Sequence, residues 1–216
     1  MINGKVSTGT GGNFHRNTHS ILRLIDSAKP AKVEKKRFIL IYAGGLTKIR
    51  GILELINAMN YINECAELWL LGLWESEKFR KECEALNGWK FTKYLGFLKQ
   101  EIVYSYFKIA DIGIVNFLPV PNHLNSMPNK PFEYMACSLP IIMSNFTLWK
   151  KTFKDCALFA NPKDPKDIAN KINIFLNNEK LRKSFGNNGR KLIEDKYSWE
   201  KEENKLLRIY DKLLKG

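Results

Sequence analysis

The chain has 216 residues, of which 44% are hydrophobic and 12% aromatic, so its composition excludes a largely disordered protein. Its 35 lysines and arginines exceed its 22 aspartates and glutamates, and the resulting charge of +13 either favours anionic partners or serves solubility alone. The longest apolar run is shorter than the roughly 20 residues of a membrane-spanning helix, and the polar, glycine-rich start shows no signal peptide.

Residues 1–36 are predicted to form a flexible N-terminal segment and linker, because they are rich in glycine and then basic, without a hydrophobic period. His15 and His19 have the spacing of a metal pair on a helix, but a third ligand is not nearby, so we interpret them as solvated. The cysteines lack CxxC spacing and are expected to be reduced core thiols of a cytosolic protein. They are Cys65, Cys83, Cys137 and Cys156.

From Phe38 onward, apolar runs of strand length alternate with stretches of helical period. This alternation predicts an α/β fold: a single Rossmann-like domain with a parallel sheet of about six strands and helices on both faces. The predicted strands are 38–42, 67–72, 91–95, 112–116, 139–143 and 157–159. The predicted helices begin near Ile52 and then cover 75–86, 100–110, 128–137, 165–177, 179–195 and 199–214.

A loop from Gly44 to Gly51 follows the first strand and contains the cations Lys48 and Arg50. Its glycines allow the backbone to approach a phosphate, whose charge the cations neutralise. The loop matches neither GxGxxG nor GxxxxGK[ST], so by itself it is also explained as a tight turn.

A second loop, 116–125, follows the fourth strand and is expected to overhang the crevice at the carboxyl ends of the strands, the alternative being a surface excursion. His123 within it is interpreted as a solvated residue that could donate to a sugar or phosphate.

Lys150, Lys151 and Lys154 are interpreted as a solvated basic face or a contact with an acidic lipid head group.

The segment that follows this loop carries the strongest functional signal. Pro131 lacks an N–H group and therefore places the start of a helix between Met127 and Lys130, where free backbone N–H groups bind anions. Glu133 lies about one turn further in. A nucleotide suits this arrangement, with its diphosphate at the start of the helix and its ribose at the carboxylate.

Together these stretches resemble the C-terminal, donor-binding domain of the retaining glycosyltransferases of the group 1 family, which have the GT-B architecture. The similarity covers about residues 37–215, and the segment NSMPNKPFEYMA is similar to the branch that builds bacterial surface polysaccharides, such as capsules. The matching segments, in chain order, are YAGGLTKIRGILELINAM, LWLLGLW, KYLGFL, ADIGIV, NSMPNKPFEYMACSLPIIMS, ALFANPKDPKDIANKI and SWEKEENKLLRIYDKLL.

The resemblance implies a nucleotide-diphosphate-sugar donor such as a UDP- or GDP-sugar, transfer with retention, and no metal cofactor. It implies catalytic roles for Glu133, on the ribose hydroxyls, and for Arg50, on the donor diphosphate. The other implied donor-binding residues are Gly44, Gly45, Leu46, Lys48, Phe97, Leu98, Asn125, Ser126, Met127, Pro128, Asn129 and Lys130.

Two residues depart from the pattern of the family. Many members have arginine at the position of Gly45, and Lys48 is the expected substitute for it. Many members also have a glutamate eight residues before the ribose glutamate, where this chain has Asn125.

The predicted organisation is the segment 1–36, a nucleotide-sugar-binding domain 37–198, and a C-terminal helix 199–216 that crosses toward a missing or separate acceptor domain. The chain is then a shortened enzyme, a subunit of a split enzyme or a degenerate fragment, and it transfers sugar poorly alone. The alternative is a non-catalytic nucleotide-sugar-binding or docking module, with an acceptor subunit or a second copy on the helix 199–214. The expected location is the cytoplasm, with peripheral contact to the inner membrane, and nucleic acid is not an expected partner.

Overall fold

The computed structural model describes residues 22–62, 65–197, 206, 208–210 and 213–214. Within them, six parallel strands form one sheet in the order β3-β2-β1-β4-β5-β6. This confirms the predicted Rossmann-like α/β domain. The strands are β1 (Phe38–Ala43), β2 (Ala66–Leu71), β3 (Thr92–Gly96), β4 (Ile112–Val115), β5 (Ile141–Ser144) and β6 (Ala157–Ala160).

The central strands are apolar on both faces, and this places them in the middle of the sheet. Leu40 of β1 is in register with Leu68 of β2 and with Ile112 of β4, and all three side chains are fully buried. Parallel strands that are covered by helices on both faces have this continuous apolar character.

The strand order reverses between β1 and β4, so right-handed crossovers place the connecting helices on opposite faces of the sheet. Helix α8 packs on α2, and α9 packs on α6. The helices are α1 (22–27), α2 (Ile52–Ala58), α3 (Glu77–Glu84), α4 (Gln100–Phe107), α5 (Pro121–Leu124), α6 (Lys130–Ala136), α7 (Thr147–Phe153), α8 (Pro165–Leu176) and α9 (Glu179–Lys196).

Helices α5 and α7 lie outside the predicted elements. Helix α5 is a single turn in the loop after β4, with Pro121 in its first turn. Helix α7 buries Trp149 and Phe153, but it is short and lysine-rich, which hides its apolar spacing in the sequence. Lys150, Lys151 and Lys154 are exposed, which fits both a solvated face and a contact with an acidic lipid head group.

Part of the N-terminal segment packs on the domain. Ile25 is buried, the N–H of Ala31 donates to the carbonyl of Ser105, and Lys35 forms a 2.8 Å ion pair with Asp111. The domain boundary at residue 37 stays a prediction. His15 and His19 lie outside the described residues, and so does most of 199–216, whose described positions are helical.

The four cysteines, all among the described residues, are free thiols. Burial raises the pKa of Cys83, Cys137 and Cys156 to about 12, which makes them poor nucleophiles. Cys65 is exposed, so the prediction that every cysteine lies in the core is wrong for this one, which stands in the turn just before β2.

Candidate functional site

The carboxyl ends of β1 and β4 meet where the strand order reverses, the place at which open α/β sheets bind their ligands. Two adjoining cavities, of about 350 Å³ and 520 Å³, lie there. Ala43, Gly44, Gly45 and Lys130 line both of them, so the cavities form one continuous cleft. We call them the central cavity (350 Å³) and the outer cavity (520 Å³).

Tyr134 fixes helix α6 against the two central strands. Its hydroxyl accepts from the N–H of Ala43 at 3.2 Å and donates to the carbonyl of Ile41 at 3.3 Å. Its ring packs directly on Gly113 of β4, where an added Cβ would lie 2.6 Å from two ring carbons. The fully buried tyrosine thus bonds to β1 where that strand separates from β4, and it sets the position of the preceding residue, Glu133.

Glu133 is the buried carboxylate of the central cavity, with only 5% of the residue exposed. Burial raises the pKa of its carboxyl group, and the ammonium of Lys130 partly offsets this effect. The Lys130 Nζ lies 2.5 Å from Glu133 Oε2, one turn earlier in α6. The cavity therefore holds a carboxylate that can accept hydrogen bonds from hydroxyl groups.

Arg50 supplies a positive charge to the same cavity. Its guanidinium lies over the ring of Phe117, with 3.9 Å between the guanidinium carbon and the ring centroid. Arg50 is the last residue of the 3₁₀ turn Lys48–Arg50. The next residue, Gly51, has a left-handed backbone conformation with a φ of 64°. A Cβ at Gly51 would lie 2.3 Å from the carbonyl oxygen of Asn116, so glycine is required for this approach.

The outer cavity is mainly apolar and lies beside the ends of β2 and β3. Phe97 and Leu98, which follow β3, line it together with Leu71 and Leu73. The side chain of Phe97 is exposed, so it is free to stack on a planar group. The two residues predicted to lie along the base are therefore in the cleft.

The structure gathers most of the predicted site residues but not all of them. Leu46 is fully buried, and Lys48 pairs with Glu82 at 3.2 Å, on the side of α3. Asn125 and Ser126 are exposed. These four lie outside the described lining of both cavities. The residues that line the cleft as predicted are Gly44, Gly45, Arg50, Phe97, Leu98, Met127, Pro128, Asn129, Lys130 and Glu133.

The loop between β4 and α6 is held by side chains at its start and its end. Asn116 Nδ2 donates to the carbonyls of Gly51 (3.1 Å) and Pro162 (3.3 Å), and Trp149 Nε1 donates to the carbonyl of Ser126 (2.8 Å). Of the predicted loop 116–125, Phe117 lines the central cavity, and Met127 and Pro128, which follow the loop, line it as well.

The interpretation of His123 as a solvated residue is wrong. Its side chain is buried, with Nδ1 2.9 Å from the carbonyl oxygen of Leu118 and its ring 4.8 Å from that of Phe117. Helix α5 turns it inward, so it supports the loop and is not part of the described lining of the cleft.

Sequence reasoning missed several residues of the site, among them three aromatic residues that shape it. Tyr42 and Phe117 line the central cavity, and Tyr134 anchors α6 beneath it. Tyr42 and Phe117 flank the carboxyl ends of predicted strands, and this position was the available signal for them. The register of Tyr134 on Gly113 depends on the packing of α6 and is not visible in the sequence.

The described residues lack two further kinds of feature. They contain no group of three histidine, cysteine, aspartate or glutamate side chains placed to hold a metal ion. No helix among them combines the length and apolar character needed to pass through a bilayer.

A family model described as "Glycosyl transferases group 1" matches residues 25–192 of the chain. The capsular polysaccharide biosynthesis glycosyltransferase CapM of Staphylococcus aureus is 29% identical over 198 residues, which are 85% of this chain and 48% of CapM. The chain spans about half the length of several curated relatives that it matches.

Solved structures show the same fold. The C-terminal domain of a glycosyl transferase group 1 family protein (LpcC) from Francisella tularensis has a TM-score of 0.66 and 21% identity, covering 81% of this chain and 97% of that domain. HepE from Anabaena, in complex with UDP, has a TM-score of 0.72 and 13% identity, covering 94% of this chain and 54% of HepE. At these identities the likeness establishes the fold alone, which is that of one Rossmann-like domain of the GT-B glycosyltransferases.

Proposed function

Because the chain belongs to the group 1 glycosyl transferases, we propose that its cleft binds a nucleoside-diphosphate sugar. The domain then serves transfer of that sugar to an acceptor in polysaccharide or glycolipid biosynthesis. The observation that carries this proposal is the buried carboxylate of Glu133, which shares the central cavity with the guanidinium of Arg50. The relation to CapM, named for capsular polysaccharide biosynthesis, supports the class of product.

The chemistry of the cleft suits the three parts of such a donor. The Glu133 carboxylate accepts hydrogen bonds from the ribose hydroxyls, and a charged acceptor forms stronger bonds than a neutral one. Arg50 binds the diphosphate, with Asn129 and the glycine loop beside it. The apolar outer cavity, with the exposed ring of Phe97, receives the base.

The proposed reaction is a retaining transfer. The bond between the anomeric carbon and the phosphate oxygen breaks, the acceptor oxygen bonds to that carbon from the same face, and the acceptor proton passes to the departing phosphate. Negative charge grows on the diphosphate as this bond breaks, so Arg50 stabilises the transition state more than the ground state. This reaction is proposed without a metal, because cationic side chains carry that role.

The acceptor is proposed to bind between this domain and a second one. The chain spans about half the length of CapM, and a GT-B enzyme has its acceptor site in the other Rossmann-like domain. We therefore propose residues 37–198 as the donor domain and 199–216 as the helix that meets an acceptor domain. The proposed location is the cytoplasmic side of the inner membrane.

One observation favours a second candidate, a docking module. The described apolar residues near the C-terminus are strongly exposed, with Leu213 at 72% and Leu214 at 84%. Such a surface fits a separate acceptor subunit or a second copy of the chain. Light scattering distinguishes these two partners. A homodimer has twice the mass of the chain, whereas a docking module is a monomer unless an acceptor subunit co-purifies with it.

Calorimetry with UDP, GDP and their sugars tests the proposed donor site. We expect one nucleotide to bind and Glu133→Ala to weaken it by about 1–3 kcal/mol, since the ribose hydroxyls lose their acceptor. Glu101→Ala, at an exposed position of α4, is the matched control that removes a carboxylate outside the described lining of the cleft. Equal affinity in the wild-type protein and Glu133→Ala refutes the ribose assignment.

A further inference from the structure

Lys130 holds a place in the cleft that the proposed donor contacts leave unexplained. It lines both cavities, and its ammonium lies 2.5 Å from Glu133 Oε2. The Lys130 side chain is 29% exposed and that of Glu133 is 6% exposed, so the cation faces the cleft while the carboxylate lies beneath it.

The ion pair is built into the local structure. Both residues belong to α6 at a spacing of three, which brings their side chains to the same face of the helix. Pro131 between them fixes the first turn. The Lys130 ammonium also lies 5.9 Å from the ring centroid of Phe107 on α4, within the range of a weak cation–π contact.

The other groups around Glu133 do not replace this cation. Tyr104 on α4, Tyr134 on α6 and Cys137 directly after α6 lie near enough to Glu133 to interact with it electrostatically. Burial raises the pKa of all three, which keeps them neutral. Arg50 shares the cavity, but its guanidinium lies over Phe117. Among the described residues, Lys130 is the only cation in an ion pair with Glu133.

The charge state of Glu133 decides what it can do for a ribose. An ionised carboxylate accepts hydrogen bonds from both hydroxyls, whereas the protonated acid carries a donor that competes with them. Burial favours the protonated acid, and a nearby cation favours the carboxylate. Removing the cation therefore changes ribose binding without removing a ribose contact.

We infer that Lys130 is the positioning residue that keeps Glu133 ionised for the ribose, and that it thereby sets the lower pH limit for nucleotide binding. The inference rests on the proposed function, because it assigns the ribose to Glu133. It separates Lys130 from Arg50: Lys130 acts through the carboxylate, and Arg50 acts on the phosphates.

The test compares a nucleoside with its diphosphate across a pH series. Calorimetry measures uridine and UDP, or guanosine and GDP if the wild-type protein prefers guanine, on the full chain. In Lys130→Met, the affinity for both ligands starts to fall at a higher pH than in the wild-type protein. Above that pH, the affinity returns to the wild-type value. Below its midpoint the loss grows about tenfold per pH unit. Lys130→Arg retains the wild-type profile.

Lys81→Met is the matched control, because it removes one positive charge from an exposed position of α3, outside the described lining of both cavities. Its pH profile stays that of the wild-type protein. If Lys130→Met weakens only the diphosphate, and equally at every pH, then Lys130 is a phosphate ligand and the inference is overturned. An unchanged Lys130→Met profile overturns it as well.

A second measurement separates this inference from the proposed function. Carbon-13 NMR of the side-chain carboxyl groups follows the titration of Glu133 in the nucleotide-free protein, with Glu133→Gln assigning the signal. A higher titration midpoint in Lys130→Met supports the role of the cation, and equal midpoints overturn it. If the wild-type protein binds none of the four ligands, the proposed function fails and the ribose part of the inference fails with it, whatever the NMR midpoints are.

Discussion

Gly113→Ala is predicted to disturb the cleft from below, through a residue outside the described lining of both cavities. An alanine Cβ at this position would lie 2.6 Å from Cγ and Cδ2 of Tyr134 and 3.0 Å from Cδ1. Ordinary contacts begin near 3.4 Å, so the fully buried ring has to move by most of an ångström. Overpacking of this kind costs about 1–3 kcal/mol.

The displaced ring carries its helix with it. Tyr134 follows Glu133 directly in α6, and its hydroxyl bonds to the backbone of Ala43 and Ile41. Moving the ring therefore weakens these two hydrogen bonds and shifts the carboxylate. We expect Gly113→Ala to lower both the free energy of unfolding and the nucleotide affinity.

Urea denaturation measures the first effect and calorimetry the second, with an unchanged m-value indicating that the compactness of both states is retained. Gly45→Ala is the control for stability, because its Cβ meets only Thr47 Cγ2 within 4 Å, at an ordinary 3.6 Å, and its cost stays within about 0.5 kcal/mol. A Gly113→Ala protein as stable as the wild type contradicts the packing argument. A destabilised protein with unchanged affinity contradicts the link between Tyr134 and the cleft.

Two further predictions concern the same site. Glu133→Gln is expected to remove a pH dependence of stability. Burial raises the pKa of Glu133 in the folded state, so the wild-type protein loses stability as the pH rises from the ordinary pKa of a carboxyl group through the raised pKa of Glu133. Urea unfolding at several pH values measures the free energy of unfolding of the wild-type protein and of Glu133→Gln. If the wild-type protein gains stability relative to Glu133→Gln as the pH rises through this range, the prediction is wrong. Trp149→Phe removes the donor to the Ser126 carbonyl and costs about 1 kcal/mol. Limited proteolysis is then faster within 120–129, whereas Leu148→Ala at an exposed position of α7 leaves it unchanged.

Local sequence patterns were sufficient for the number and approximate positions of the strands, but not for their order in the sheet. The near-continuous apolar runs predict the six strands, because buried parallel strands need apolar side chains on both faces. Pro131 predicts the start of α6, because its ring leaves it without a backbone N–H and restricts it to the first turn of a helix. In the structure the helix begins at Lys130. Glu133 stands out because it is an acidic residue within a buried helix.

Only the tertiary structure decided which side chains meet. Lys48 and Arg50 are two residues apart in one loop, yet Lys48 pairs with Glu82 and Arg50 lines the cleft. His123 is buried because a single helical turn points its ring at Phe117. The ring of Tyr134 fits against β4 because Gly113, twenty-one residues earlier in the chain, has no side chain there. The periodicity of a chain records which of its faces are buried, whereas partners from distant segments are chosen by packing, which no local pattern encodes.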